Sequence, residues 1–175
     1  MKRAVRIGVP AGIAAGVVMA VWLMVAMWIV GTGFWIPLNL VAHTFYRSAP
    51  LNNTFSAPAL VIGLAVHMTM AIIFGTAVTA LVLRLPGHRS LVIAGGFLFV
   101  AVVWPVMQYG VWYSIDGQAA EGVNDWVFAG AHLIFGLVSA GVAAVAVADD
   151  EPVMRGRHAV LAPPPGSLFQ PQRRR

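Results

Sequence analysis

The chain has 175 residues, 59% hydrophobic and only 10% charged, where a soluble domain carries about 25% charged residues. A domain of this size keeps too much surface to hide so much apolar area from water, so the composition requires lipid as solvent. Cysteine is absent, which excludes disulfides, thiolate metal sites and cysteine nucleophiles, and the net charge of +5 lies at the ends of apolar runs and in the tail instead of on a nucleic-acid-binding face.

A helix needs about 20 mainly apolar residues to cross a hydrocarbon core of about 30 Å. Four stretches qualify, at about 7–31, 58–83, 91–112 and 126–148, and none contains Asp, Glu, Lys or Arg. Backbone in lipid must satisfy its own hydrogen bonds, and runs this long and uniform are helices instead of barrel strands. The sequence thus predicts an all-α fold, a polytopic membrane four-helix bundle.

The first run follows Lys2, Arg3 and Arg6, as a signal peptide would, but it is too long and ends in Trp28, Gly31, Phe34 and Trp35. It reads as a retained span. The loop 32–57 is long and not very polar, and its segment from Ile36 to Tyr46 suits a short interfacial helix with Pro37 in the first turn. Ser56 before Pro58 is an N-cap candidate for span two, as Asn124 or Asp125 is for span four. Asn52-Asn53-Thr54 matches a glycosylation sequon, a chance match in a bacterial chain. Pro86-Gly87 makes a short turn that keeps spans two and three adjacent.

Span three differs from the others in holding Trp104-Pro105 and then Gln108. Pro105 removes a backbone donor and should kink the helix. Gln108 needs a partner, either a freed carbonyl or another helix. The acids Asp116, Glu121 and Asp125 between spans three and four read as solvated loop charges. The segment 149–175, with Pro163 to Pro165 and a terminal Arg173-Arg174-Arg175, reads as a disordered tail.

Basic residues precede span one, sit between spans two and three as Arg84 and Arg89, and follow span four. The other two loops hold Arg47 alone. By the positive-inside rule both termini face the cytoplasm, and aromatic residues such as Trp28, Trp112 and Trp126 gather at the opposite interface. Ten of the eleven basic residues are arginine, a bacterial GC-rich usage, so the expected location is the inner (plasma) membrane.

Helices in lipid approach closely through small residues in register. Span one has Gly8, Gly12, Gly16 and Ala20; span two has Gly63, Ala71, Gly75 and Thr79; span four has Gly136, Ala140 and Ala144. Spans two and four align without a gap on His67 and His132, which place Ala71 on Gly136, Gly75 on Ala140 and Thr79 on Ala144. This is the pattern of a tandem duplication of a two-helix unit, giving a pseudo-two-fold axis along the membrane normal.

His67 lies about nine residues, or roughly 14 Å, inside its span and His132 about seven residues, or roughly 10 Å, so the two rings share a depth. Ionisable groups there are costly and suggest function. The plainer assignment has each ring hydrogen-bonding a neighbouring helix backbone. Otherwise His67 and His132 could ligate a haem b iron, and with His43 from the loop they could hold zinc or copper. Met68 and Met70 are candidate thioether ligands, though their angular offsets from His67 differ. Alternatively, His67, His132 and Gln108 could form a proton or quinone path.

Across Gly33-Phe34-Trp35-Ile36-Pro37-Leu38-Asn39-Leu40-Val41-Ala42-His43 and Gly63-Leu64-Ala65-Val66-His67-Met68, the sequence resembles uncharacterised bacterial four-span integral membrane proteins with no assigned activity. The resemblance implies the architecture and draws attention to His43 and His67 without supplying a mechanism. No phosphate-binding loop, zincin helix or nucleophile elbow is present, which weighs against an enzyme. The expectation is a structural or accessory inner-membrane protein, embedded in the lipid bilayer and able to join a homo-oligomer or larger membrane complex, with no nucleic-acid partner. The alternatives are a haem- or metal-binding redox subunit and a small transporter.

Overall fold

The computed structural model describes residues 1–85 and 89–161. It is 82% helix with no strands among the described residues. Four of its helical stretches are long and apolar enough to cross a membrane: Lys2–Ile29, Ala57–Val82, Val92–Glu121 and Asp125–Ala148. The protein is a multi-pass membrane four-helix bundle.

Helix α1 (Lys2–Ile29) ends in a turn where Gly31 and Gly33 take positive φ, 85° and 134°, a conformation that side chains disfavour. The short helix α2 (Ile36–His43) follows, with Pro37 in its first turn. Helix α3 (Ala57–Val82) starts at Ser56, whose side chain accepts from the Ala59 amide at 3.4 Å. Helix α4 (Arg89–Pro105) passes into π-helical turns over Val106–Trp112 and then into α5 (Tyr113–Glu121). Pro105 lacks an amide hydrogen and its ring crowds the preceding turn, so the helix widens immediately after it. Helix α6 (Asp125–Leu161) begins at Asn124, whose Oδ1 accepts from the Trp126 and Val127 amides at 3.1 and 3.2 Å.

The last helix continues through 149–161, where the composition suggested a structureless tail; extending a helix that is already nucleated costs little per residue. The remainder of that tail, 162–175, and the Pro86-Gly87 turn lie outside the described residues.

Helix α1 packs along α3 and α6, and α4 packs along α6. Among the described residues α1 and α4 do not touch, and α3 and α4 touch sparsely. The α1–α3 contact is backbone on backbone. A Cβ on Gly75 would run into Gly12 Cα, one on Gly12 into the Ala71 carbonyl, and one on Gly8 would stand 2.5 Å from Thr76 Cα. The α4–α6 pair repeats that register. A Cβ on Gly96 would lie 2.5 Å from Ala140 Cβ and 3.5 Å from the Gly136 carbonyl, and one on Gly136 would lie 3.0 Å from Val100. Gly96 thus meets the pair Gly136/Ala140 as Gly12 meets Ala71/Gly75, which is the relation an alignment of His67 on His132 requires.

Helix α2 caps the end of the bundle reached by the N-termini of α3 and α6, held against α3 where the Leu38 carbonyl sits over Gly63. The buried Asn39 amide donates to the carbonyls of Asn52 and Thr54, both at 2.9 Å, and Asn53 Oδ1 accepts from the Trp35 amide at 2.8 Å. The sequon-like triplet is therefore the brace of this loop.

Replacing Gly75 with leucine should destabilise the bundle by about 3 kcal/mol or more, since the collision is with backbone that cannot rotate away. Gly141→Ala, where a Cβ meets nothing within 4 Å, should be neutral by comparison. Unfolding of both variants in mild detergent, followed by circular dichroism, measures the difference.

Candidate functional site

Helices α3 and α4, which touch sparsely, both contribute to the wall of a cavity of about 270 Å³. Its wall is almost wholly apolar: Met19 from α1, Phe74 from α3, Val100 and Val103 from α4, and Phe135 from α6. Val41, Thr44 and Phe45, from α2 and the residues after it, close it at one end. His67 and His132 are on the wall, as is Trp112, whose Nε1 donates to Thr44 Oγ1 at 3.0 Å. Among the described residues no Asp, Glu, Lys or Arg lines the cavity.

The two histidines occupy equivalent places in the two helix pairs but bond differently. His67 Nε2 is 2.9 Å from the Gly16 carbonyl across the α1–α3 contact. Glycine leaves that carbonyl open to a neighbouring side chain. At the corresponding place on α4 stands Val100, 2% exposed, whose side chain packs on Gly136. His132 turns instead to its own helix, with Nδ1 2.9 Å from the Phe128 carbonyl and the ring edge-on to Phe128 at 4.4 Å. Neither ring has a second hydrogen bond among the described residues.

His43 is not on this wall. It is buried at the end of α2, with Nδ1 2.7 Å from Asp116 Oδ2. Arg47 Nη1 reaches the same oxygen at 2.8 Å, and its Nη2 donates to the Ile115 carbonyl at 2.9 Å. Asp116 has extended φ/ψ (−152°, 79°) inside α5, and its Oδ1 accepts from the Ala119 amide at 3.3 Å, capping the turn that follows. This carboxylate is 4% exposed, so it is no solvated loop charge. Asp125 is also engaged, accepting from Tyr109 Oη at 2.9 Å and from Gln108 Nε2 at 3.4 Å. Burial of Asp116 depends on the two loops meeting, and His43 and Asp116 are 73 residues apart in sequence, so local composition carried no sign of it.

Gln108, fully buried in the π-helical turns, donates through Nε2 to the Ala120 carbonyl at 3.1 Å, while Oε1 has no partner among the described residues. Met70 lines the cavity and Met68 packs on Gly16, so the two thioethers diverge. Of the candidate ligands, His67 and His132 share a cavity, whereas His43 is held by Asp116. Among the described residues no group of three or more His, Cys, Asp or Glu side chains is placed to hold a metal ion. In comparisons with known proteins, the chain matches no family model, no curated protein and no solved structure.

The His43–Asp116 pair is 8% and 2% exposed at its side chains, whereas Arg47 is 57% exposed. Removing one member of a buried pair strands the other. Asp116→Ala should therefore lower stability by about 3 kcal/mol, and Arg47→Ala by no more than about 1 kcal/mol. Thermal melts of the two variants in one detergent rank them.

Proposed function

We propose that this protein is a bacterial inner-membrane binding protein that takes up a lipid-soluble molecule sideways from the bilayer, through the gap between α3 and α4. The observation that carries this reading is the cavity itself. It lies between two sparsely touching helices, it is apolar, and two histidines punctuate its wall. A bundle serving only as scaffold gains from closing such a gap, because wall atoms facing a void lose their dispersion contacts. Binding sites between the helices of a bundle have this character, an apolar pocket with a few placed polar groups.

The charge distribution supports an orientation with both termini in the cytoplasm. In that orientation α2 is an outer lid, the His43–Asp116–Arg47 cluster latches it to α5, and the cavity opens to the outer half of the bilayer. A reporter enzyme fused after Arg175 should be active on the cytoplasmic side only; activity only outside would invert the assignment.

The cavity reading is tested by filling the space. Val103 is half-buried on the wall, and Val103→Trp should occupy the cavity with little strain on the packed faces. Wild-type protein extracted into native-lipid discs should carry a bound lipid-soluble molecule near one per chain by mass spectrometry, and the variant should lose it. Equal retention by both would reject the reading. The same preparation separates the redox alternative: a Soret band that vanishes in His67→Ala would assign the site to haem.

A further inference from the structure

The hydrogen-bonding state of the two histidines specifies what the cavity accepts. A carbonyl oxygen only accepts, so the ring nitrogens facing Gly16 and Phe128, His67 Nε2 and His132 Nδ1, carry hydrogen. Among the described residues no carboxylate lines the cavity to balance a positive ring, and an unpaired charge in apolar surroundings is costly. Each ring is then a neutral imidazole with one bare nitrogen, Nδ1 on His67 and Nε2 on His132, and a bare nitrogen can only accept. Thr44 adds the opposite function. Its oxygen takes the Trp112 indole hydrogen at 3.0 Å, and its own hydroxyl hydrogen has no acceptor among the described residues.

The polar residues on the wall thus bring two acceptors and one donor and, among the described residues, no charge. A phosphate, carboxylate or ammonium headgroup would find no counter-charge there and would lose its hydration. A ligand without donors would leave both bare nitrogens unmatched. A neutral hydroxyl compound satisfies all three groups, since each hydroxyl donates and its oxygen also accepts. Size narrows the choice further. An apolar cavity of roughly 150 Å³ takes benzene, so about 270 Å³ holds one substituted six-membered ring. Phe74, Trp112, Phe128 and Phe135 give the wall flat aromatic surfaces, which suit such a ring.

Building on the lateral-cavity reading above, we infer that the ligand is a hydroquinone-class molecule. Its ring sits beside His132 and Thr44, and its apolar tail leaves between α3 and α4. The oxidised quinone carries only acceptors, so it satisfies Thr44 and neither imidazole. The site therefore prefers the reduced form, and no electron transfer is part of the inference.

The experiment titrates the full chain, in phosphatidylcholine discs under anaerobic reducing conditions, with a short-chain alkyl hydroquinone and separately with its dimethyl ether, reading tryptophan quenching. The ether keeps the ring and tail but has no donor. Losing a hydrogen bond to a buried acceptor costs about ten- to a hundredfold in affinity, so the hydroquinone should bind at least tenfold tighter than the ether. His132→Phe removes one of the two acceptors, so it should weaken hydroquinone binding about tenfold and leave ether binding unchanged. Should that variant fail to fold, Thr44→Val replaces it: the Thr44 hydroxyl serves an oxygen of either compound, so both should weaken by a similar, smaller factor, and no weakening of either removes Thr44 from the site. Equal binding of both compounds by the wild type overturns the hydroquinone assignment and leaves the cavity reading standing. Binding of neither overturns both, and an undiminished preference in folded His132→Phe removes His132 from the site.

Discussion

The close approach of α1 and α3 at Gly12 and Gly75 is the contact on which the remaining geometry depends. In lipid the surroundings are as apolar as the helix faces, so association draws on packing and on hydrogen bonds that form only at short range. Missing side chains on α1 bring the two backbones together, and the same absence at Gly16 uncovers a carbonyl for His67. A packing device thus also sets the state of a cavity-lining imidazole, because the nitrogen that meets Gly16 is the one that carries hydrogen.

The second helix pair repeats the register but replaces the Gly16 equivalent with Val100. That substitution blocks the cross-helix bond, and His132 satisfies one nitrogen within its own helix. A second departure from two-fold equivalence opens the bundle. The α1–α6 side is closed, with Trp22 Nε1 donating to the Val127 carbonyl at 3.3 Å. The related α3–α4 side is not, and the cavity lies there. The π-helical turns after Pro105 add to this asymmetry by carrying Met107, Val111 and Trp112 onto the cavity wall.

At the capped end, polar groups do the joining that small residues do along the helices. Asn39 holds the 52–54 segment, and Asp116 holds both His43 and Arg47. These bonds tie the two loops of the same end, so the wall formed by Val41, Thr44 and Phe45 has a fixed position over the cavity. Gln108 links the π-helical turns to α5 and to Asp125 at the start of α6, which ties the widened part of the third span into the same end.

The four spanning helices were legible in the sequence because crossing a hydrocarbon layer is a property of one segment at a time: length, apolarity and missing charge are read residue by residue. Ser56 and Asn124 were legible for a similar reason, since a cap bonds amides two or three residues away. The glycine and alanine stripes announced close packing, yet a stripe does not name its partner, and only the folded chain paired Gly12 with Gly75 and Gly96 with Ala140. The bond from His43 to Asp116, the gap between α3 and α4, and the divergent bonding of two aligned histidines belong to the tertiary structure. Each depends on which surfaces meet across long stretches of chain, and that many-body outcome is not written in the hydropathy of any one segment.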